Sequence, residues 1–393
     1  MAAWPHDVPE LSGPRVHLRA HRDADLAGMV EMCRDPVTRS WTSLPESYAS
    51  SDAEWFLREV IAPGWRTGSA RGWAIEAPDD QGMPRYAGNV DVRGGPAASI
   101  GFALHPWARG RGLMAEAVRL AVQWCFAQAE IESVSWLARV GNVASRRVAW
   151  ASGFTFHGTL PKQLGRPPLS DAWLATLVSG DELHPHTSWL TPTPLHGERI
   201  ILRAHCPPDI PRIVEACSDA RSQHWLATLP RPYTEESARA YLHTMAVEES
   251  LASRVAWCVA DAETDELLAN VAIFDLAGED RSSGEVGYWT HPEARGRGLM
   301  TEAVTLVVDH ALRPATEGGL GLRRLQLLAA AGNPASAHIA RRSGFTEVGR
   351  ERQAERLGDG SYDDLVTFDV LCGERQKRRH EALPRPPLVE GCA

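Results

Sequence analysis

One eleven-residue segment occurs twice in the sequence, and this duplication limits the folds that the chain can adopt. Residues 108–118 read ARGRGLMAEAV and residues 294–304 read ARGRGLMTEAV, so that only Ala115 and Thr301 differ. Each copy follows a short apolar segment that ends in His-Pro, and each precedes a helical pattern of apolar residues. The repeated unit is therefore a strand, a glycine-rich turn and a helix.

The repetition extends across most of the chain. Residues 13–25 (GPRVHLRAHRDAD) align with 197–209 (GERIILRAHCPPD), and strand-like segments follow at 72–77 and 256–261. In both copies the pattern is strand, helices, three strands, glycine-rich turn, helix, strand, helix and strand pair. The sequence therefore predicts two homologous domains and not a duplicated loop.

The boundaries of these domains follow from composition. The segment between the copies is rich in Pro, Thr and His, and the C-terminal segment is charged and rich in Pro. We therefore predict four regions, which are an N-terminal domain at 1–180, a linker at 181–196, a C-terminal domain at 197–372 and a disordered tail at 373–393.

Composition excludes several classes of protein. The chain is 44% hydrophobic, and it contains no apolar run of the roughly 20 residues that a membrane-spanning helix needs. Its first residues do not resemble a secretion signal, so we expect a cytosolic protein without membrane contacts. The net charge of −9 argues against nucleic-acid binding, although almost all of the 41 basic residues are arginines.

The cysteine and histidine patterns do not indicate a metal site. The seven cysteines are scattered without a CxxC pair, which favours free thiols. His184 and His186 lie close together, but the composition of the linker accounts for them. We therefore expect no bound metal.

The glycine-rich turn has the composition of an anion site. The first backbone N–H groups of a helix have no intrahelical acceptor, and the helix dipole adds positive potential there. Gly110 and Gly112 would let phosphate oxygens approach these donors, and Arg109 and Arg111 would add positive charge. The second copy repeats this arrangement. An ordinary basic loop is the simpler interpretation of one copy, but the duplication favours the anion site.

A second motif follows in both copies, where a buried strand leads into GNVASRRVAWASGF or GNPASAHIARRSGF. We expect Asn142 and Asn333 to cap the N-termini of the helices in these segments. Gly153 and Gly344 are expected to end the same helices.

Taken together, the order R-x-x-G-x, helix, strand, N-x-x-S and GF resembles the GCN5-related N-acetyltransferases, the GNAT family. The chain is most similar to the branch that acetylates the N-terminal amines of ribosomal proteins. The resemblance covers nearly all of the two predicted domains. It implies an α+β fold of two tandem domains, each a mixed, V-splayed sheet flanked by helices.

The resemblance also implies that acetyl-CoA is the cosubstrate. Its pyrophosphate would lie on the backbone of the two glycine-rich turns, and its pantetheine arm would pair with the splayed strands. The residues expected to bind it are Arg109, Gly110, Arg111, Gly112, Leu113, Met114 and Asn142 in the first copy, and Arg295, Gly296, Arg297, Gly298, Leu299, Met300 and Asn333 in the second. The final turn residue of the family is usually Gly or Ala, but the backbone N–H of methionine can also donate.

An ammonium cannot attack a thioester, so the reaction needs a base. Glu285 lies on the strand before the turn, where a base would be well placed, whereas the first copy has Ser99. The second domain is therefore the better catalytic candidate, although a surface role for Glu285 is equally compatible with the sequence. Many relatives use a tyrosine as general acid where this chain has alanine, which leaves Ser145 and Ser336 as candidate acids.

The sequence defines the acceptor of the acetyl group less well than it defines the cosubstrate. Trp41 and Trp225 lie in the early helical region that lines the acceptor site in this family, but they could equally pack a loop onto the core. A small amine and a protein N-terminus both remain open as acceptors, and pairing of the two domains or of two chains is possible. The alternative function is that of an acyl-CoA-binding sensor or scaffold in which one or both domains do not catalyse.

Overall fold

The computed structural model describes residues 8–277 and 279–375. It divides the chain into two compact units, the first ending at His186 and the second beginning at Thr187. Each unit contains one eight-stranded sheet with helices packed against it, and the two sheets have the same strand order. This confirms the predicted α+β class with two mixed sheets. Nearly all of the predicted tail, at 376–393, lies outside the described residues.

The sheet of the first unit is built from β1 (Leu11–Ser12), β2 (His17–Arg19), β3 (Ala70–Pro78), β4 (Pro84–Arg93), β5 (Ala97–Leu104), β6 (Ser133–Arg139), β7 (Thr155–Leu164) and β8 (Ser170–Val178). Their order in the sheet is β1-β2-β3-β4-β5-β6-β8-β7. Only β5 and β6 run parallel among these neighbours. A parallel pair needs a long crossover, and a helix provides it here.

The helices of the first unit are α1 (Leu26–Arg34), α2 (Pro36–Trp41), α3 (Ser50–Trp55), α4 (Ala62–Thr67), α5 (Leu113–Gln128) and α6 (Val143–Ala151). A π-helical segment at Phe56–Ile61 joins α3 to α4. The crossover helix is α5. The apolar stripe that the sequence predicts on α5 is fully buried, which explains why this helix packs against the sheet; its members are Val118, Ala121, Val122 and Cys125.

The second unit repeats this sheet with β9 (Leu195–His196), β10 (Ile200–Arg203), β11 (Val255–Asp261), β12 (Leu267–Phe274), β13 (Ser283–Thr290), β14 (Arg324–Ala330), β15 (Thr346–Arg356) and β16 (Tyr362–Leu371). The order is β9-β10-β11-β12-β13-β14-β16-β15, and β13 and β14 are the parallel pair. The two units therefore share one topology, strand for strand.

The helices of the second unit are α7 (Ile210–Ser218), α8 (Ala220–Trp225), α9 (Glu235–Ser250), α10 (Leu299–Leu312) and α11 (Pro334–Arg342). The crossover helix is α10, and its predicted apolar stripe is also fully buried, at Val304, Val307, Val308 and Ala311. In the described part of the chain, no helix has both the length and the apolar composition needed to cross a membrane.

The parallel strands of each sheet diverge part-way along their length. In the second unit β13 and β14 pair only from Ser283 to Glu285, although β13 continues to Thr290. In the first unit, pairing of β5 with β6 ends at Ile100. Since backbone N–H and C=O groups require partners when they are buried, the gap beyond these points suits an extended polar ligand. The expected V-shaped splay is therefore present in both units.

The segment 181–196, predicted as a linker, makes fixed contacts. Gly153 has a φ of +90°, and a Cβ at this position would lie 2.5 Å from the carbonyl oxygen of Glu182. Further along, the backbone N–H of Leu190 donates to the carbonyl of Glu249 at 3.0 Å. The two ends of the segment therefore pack on different units, and close contact requires glycine at position 153.

Glu249 provides a test of the second unit's pH dependence. Burial raises the pKa of its carboxyl to about 7, with an opposing contribution from the backbone N–H of Ala256. The folded state therefore holds this proton over a pH range in which the unfolded state has lost it, so stability falls as the pH rises from about 4.5 to about 7. Glu249→Gln should be more stable than the wild type at pH 8, by about 2 kcal/mol after allowance for partial solvation, and should differ little at pH 4.

Chemical denaturation at the two pH values measures this difference. The exposed Glu236, on the same helix, gives the matched control Glu236→Gln. A gain at pH 8 no larger than that at pH 4 would show that Glu249 is solvated in the folded protein.

Candidate active site

The glycine-rich turn of the second unit has the conformation that an anion site requires. Gly296 and Gly298 have φ angles of +72° and +77°, a region that side chains with a Cβ rarely adopt. Gly298 is the N-cap of α10, so the N–H groups of Leu299 and Met300 open the first helical turn without intrahelical acceptors. The helix dipole favours negative charge at the same point. Gly110 and Gly112 repeat this conformation in the first unit.

A brace holds this turn in place. The carboxylate of Glu302 accepts hydrogen bonds from the backbone N–H groups of Glu198 and Arg199, at 2.7 and 3.2 Å. The guanidinium of Arg199 pairs with the same carboxylate and also donates to the carbonyl of Arg297 at 2.9 Å. In the first unit Arg15 and Glu116 form the equivalent brace. Both turns are therefore fixed before any ligand binds.

The sequence suggests that the first arginine of each turn, Arg109 or Arg295, adds its charge to an anion site. In the structure, the guanidinium groups of both residues pair with carboxylates instead. The guanidinium of Arg295 pairs with Asp219 at 2.6 Å and donates to Ser222 at 2.9 Å. Its backbone N–H donates to Pro292. Asp219 caps α8, and this fixed carboxylate attracts the arginine. Arg109 makes the same contacts with Asp35 and Thr38, so both residues stabilise the turn from behind.

The second arginine of the turn differs between the units. Arg111 is half-buried, donates to the carbonyl of Pro78 at 3.0 Å and lies 5.5 Å from the ring centroid of Trp107. Arg297 is exposed, and within the described residues its side chain makes no hydrogen bond. The position of Trp107 is taken by Glu293, which pairs with Arg212 instead. The guanidinium of Arg297 is therefore less constrained than that of Arg111.

Glu285 lies where β13 and β14 separate. Its register partner is Gln326, whose Nε2 donates to Oε2 of Glu285 at 3.2 Å. Burial raises the pKa of the Glu285 carboxyl, the Gln326 hydrogen bond opposes this, and the nearby charges of Asp275 and Glu355 raise it further. A half-buried carboxylate with a raised pKa, at the point where the sheet opens, is suited to accept a proton.

Ser336 pairs with a tyrosine that the sequence analysis did not identify. The hydroxyl of Tyr288, on the splayed part of β13, lies 2.8 Å from Oγ of Ser336. Burial raises the pKa of Tyr288 to about 12, although the Ser336 hydrogen bond opposes the shift. Asn333 caps α11 as predicted, since its side chain accepts from the backbone N–H of Ser336 at 3.2 Å. Gly344 has a φ of +97° and follows the end of the same helix, also as predicted.

One cavity of about 680 Å³ in the second unit is lined by Glu285, Tyr288, Asn333 and Ser336. It extends from the glycine-rich turn and the start of α10 past the splayed half of β13 to the start of α11. Trp225, at the end of α8, lies in its wall, and its contact with an acceptor stays a prediction. Glu355 also lines the cavity, and the sequence analysis did not single it out.

The Acetyltransferase (GNAT) domain family matches residues 15–155 and 199–346, which together are more than half of the chain. The chain belongs to the GNAT acetyltransferase family. The two matched ranges correspond to the two units, so this is a tandem GNAT protein.

Curated acetyltransferases are similar in sequence to parts of this GNAT protein. The ribosomal-protein-serine acetyltransferase of Escherichia coli (strain K12) is 31% identical over 104 residues, which are 26% of this chain and 54% of that protein. The chain spans about half the length of the curated relatives that it matches.

Two solved structures have a similar fold. The structure of a ribosomal L7/L12 alpha-N-protein acetyltransferase in complex with coenzyme A is 20% identical, covering 46% of this chain and 98% of that one with a TM-score of 0.41. The microcin C7 self-immunity acetyltransferase MccE, in complex with acetyl-CoA and AMP, is 15% identical, covering 44% and 93% with a TM-score of 0.39.

The two GNAT units differ at the positions that line the cavity. Where the second unit has Glu285, Tyr288 and Glu355, the first has other residues in the same registers; these are Ser99, Phe102 and Leu164. Opposite Ser99, the side chain of Arg93 forms an ion pair with the buried Asp91. The first unit therefore has Ser99 at the position of Glu285, and Arg93 at the position of Phe274, the register partner of Glu285.

Three further predicted residues of the first GNAT unit have identified surroundings. Ser145 accepts a hydrogen bond from Nε1 of Trp136 at 3.0 Å, and Asn142 caps α6 as predicted. Trp41 ends α2 and is half-buried. The roles of these residues toward acceptor and cofactor stay predictions.

The first unit also contains a cluster with the composition of a metal site. One ligand atom each from Glu182, His184 and His186 lies within 4.8 Å of the others, and all three residues are exposed. Glu182 and His184 form an ion pair at 2.8 Å. The expectation that the protein binds no metal therefore stays a prediction.

The brace of the turn is tested by Glu302→Ala. The substitution leaves two backbone N–H groups and a guanidinium without their acceptor, which should cost about 1–3 kcal/mol in the free energy of unfolding. Denaturant unfolding of the full chain measures this, with Glu351→Ala on the exposed face of β15 as the control. If both variants lose equally little, Glu302 does not hold the turn.

Proposed function

We propose that this protein is an N-acetyltransferase that moves the acetyl group of acetyl-CoA to a primary amine, and that the second unit is the catalyst. The observation that carries the proposal is the joint placement of Glu285, Tyr288 and Ser336 around one cavity that begins at the anion-binding turn. Family membership and the names of the relatives support the reaction class.

Acetyl-CoA would bind along the length of this cavity. Its pyrophosphate would accept hydrogen bonds from the N–H groups of the turn, with Arg297 as the counter-ion. The pantetheine amides would pair with the free edge of β13 near Trp289–Thr290, where β14 has diverged. Asn333, at the start of α11, would contact the same arm. The equivalent positions in the first unit are the turn at 110–114 and Ala103–Leu104.

Transfer would occur directly within a ternary complex. Glu285 takes a proton from the acceptor ammonium, either directly or through one water, so that the nitrogen has a free electron pair. The nitrogen attacks the thioester carbonyl, the C–S bond breaks, and coenzyme A leaves as a thiolate. The hydrogen-bonded pair of Tyr288 and Ser336 then supplies a proton to this thiolate, and the second proton that the nitrogen loses as the amide forms restores the pair. Holding both reactants in one cavity accounts for much of the acceleration.

One specific observation favours a role for the first unit that differs from the catalytic role proposed for the second. Arg93, paired with Asp91, is the register partner of Ser99 on the neighbouring strand, so the first unit has an ion pair and a neutral serine where the second has its candidate base. Its turn nevertheless has the same braced conformation as that of the second unit. We propose that the first unit binds an acyl-CoA without turning it over.

The acceptor of the second unit is a primary amine. One curated relative is named as a ribosomal-protein-serine acetyltransferase, which supports a protein as the acceptor. A small cationic amine is also compatible with the two carboxylates of the cavity, Glu285 and Glu355.

Coenzyme A binding is tested by adding one charge to the turn. Gly296 has open space around its Cβ position, and Asp and Asn tolerate a positive φ better than most residues. Gly296→Asp should bind coenzyme A at least about tenfold more weakly than Gly296→Asn, because only the carboxylate repels the pyrophosphate. Isothermal titration calorimetry measures both, and the pair Gly110→Asp and Gly110→Asn tests the first unit.

Equal affinities for the Asp and Asn variants would place the pyrophosphate elsewhere. If the wild type does not bind coenzyme A at all, the acetyltransferase proposal is wrong. A site that is weakened only by Gly110→Asp would assign that site to the first unit.

The base is tested by Glu285→Gln. The amide cannot accept the proton, so kcat/KM for amine acetylation should fall by about 100-fold or more, while coenzyme A affinity is retained. In the wild type, kcat/KM should decrease as the pH falls through the raised pKa of Glu285, because the carboxylate becomes protonated. This dependence should be lost in the variant.

Ser99→Ala, at the same position in the first unit, is the matched control and should retain full activity. If Glu285→Gln keeps the wild-type pH profile, another group is the base. If Ser99→Ala abolishes activity, catalysis belongs to the first unit.

A further inference from the structure

The cavity of the second unit contains a second carboxylate that the proposed reaction does not use. Glu355 lies on β15, and it is the one residue of this strand that is not exposed. It lines the same cavity as Glu285. Within the described residues no cation pairs with its side chain. A partly buried carboxylate without a counter-ion in a ligand cavity is a candidate for binding a cation.

The fold directs this position into the cavity by means of a β-bulge. The pairing of β15 with β16 shifts between Glu351 and Glu355, and Gln353 has a φ of +49°. The N–H of Gln353 donates to the carboxylate of Asp364 at 2.9 Å, which fixes the bulge. Bulges of this kind redirect the residues that follow them.

The first unit has the same bulge with different chemistry at its end. Lys162 has a φ of +52°, and its N–H donates to Asp171 at 3.1 Å. The strand then ends in Leu164, in the register position of Glu355. The geometry is therefore common to both units, and only the second has a charge there. Glu355 is not required for the bulge or for the sheet.

The surroundings of Glu355 favour a positively charged group. Burial and the adjacent Asp363 raise the pKa of its carboxyl. Both oxygens of Asp363 are used by backbone N–H groups, so Glu355 is the acceptor that remains. The Cη2 atom of Trp225 lies 3.6 Å from the Cβ position of Gly332, and the N–H of Gly332 donates to Asp363, so an aromatic ring is close to the same corner. Carboxylates and aromatic faces both attract ammonium and guanidinium groups.

We propose that the acceptor carries two positive charges, and that Glu355 holds the second while the nitrogen to be acetylated faces Glu285. This rests on the proposed function, since it specifies the acceptor of the same site. Two carboxylates in one cavity repel each other, and a dicationic acceptor neutralises both, whereas a monocation neutralises only one. Diamines and peptides whose N-terminus is followed by a basic side chain share this chemistry.

Binding of a matched pair of amines tests the inference without requiring turnover. 1,4-Diaminobutane and n-butylamine have the same carbon chain and differ in the second ammonium. Calorimetry on the full chain, saturated with coenzyme A, should show the diamine binding about tenfold more tightly, as expected for one partly solvated charge-assisted contact. Glu355→Gln should remove this preference and leave n-butylamine affinity unchanged.

Glu351→Gln is the matched control, because Glu351 lies on the same strand but is exposed and does not line the cavity. It should retain the preference of the wild type. Equal affinities for the two amines in the wild type would overturn the inference, and so would a preference that survives Glu355→Gln.

Acetylation assays with the same amines separate this inference from the proposed function. Acetylation of both amines with equal kcat/KM would support the acetyltransferase and overturn the role of Glu355. A Glu355-dependent binding preference without any acetyl transfer would support the cation subsite and overturn the proposed function.

A second pair of acceptors distinguishes the sources of the dication. The dipeptide amides Ala-Lys and Ala-norleucine differ only in the second charge. A Glu355-dependent preference for Ala-Lys that exceeds the diamine preference would identify basic protein N-termini, and the reverse would identify small diamines. The absence of both preferences would overturn the inference.

Discussion

The separation of two parallel strands is the feature on which the site depends. After Glu285 the strands β13 and β14 no longer exchange hydrogen bonds, and the sheet gives up part of its pairing there. The loss is tolerable only if a ligand or solvent satisfies the free backbone groups. The same divergence brings Glu285 to the edge of the gap and lets Tyr288 reach across to Ser336 on α11. The cavity, the candidate base and the candidate acid therefore share one structural cause.

Duplication gives an internal comparison that a single domain would not provide. The braces of Arg15 with Glu116 and of Arg199 with Glu302 share the arginine N–H donor, the ion pair and the bond to the carbonyl of the turn arginine. The bulges before Leu164 and Glu355 are also alike. Where equivalent positions of the two units carry different residues within this common framework, the shared fold does not explain the difference. Three such differences, at the positions of Glu285, Tyr288 and Glu355, lie in the lining of the cavity.

The sequence predicted the fold from features with a local physical cause. Periodicity located α5 and α10, and cap chemistry identified Asn142 and Asn333 as helix starts. It did not identify Tyr288 or Glu355, because their neighbours in the cavity come from distant segments and from a bulge whose register the pattern does not reveal. The sequence also does not reveal that the side chain of Arg295 pairs with Asp219, because the two residues lie 76 positions apart in the chain.

The electrostatics of the first unit explain why a single substitution would not convert it into a second copy of the candidate catalyst. A glutamate at Ser99 would face Arg93, and the two would pair, so the new carboxylate would not be available to an ammonium. Removing Arg93 as well would leave Asp91, which is 2% exposed, without its counter-ion, and an isolated buried charge is costly. Three coupled positions would have to change together. The ion pair of Arg93 with the buried Asp91 therefore separates the first unit from the candidate catalyst as much as the absence of a carboxylate at Ser99 does.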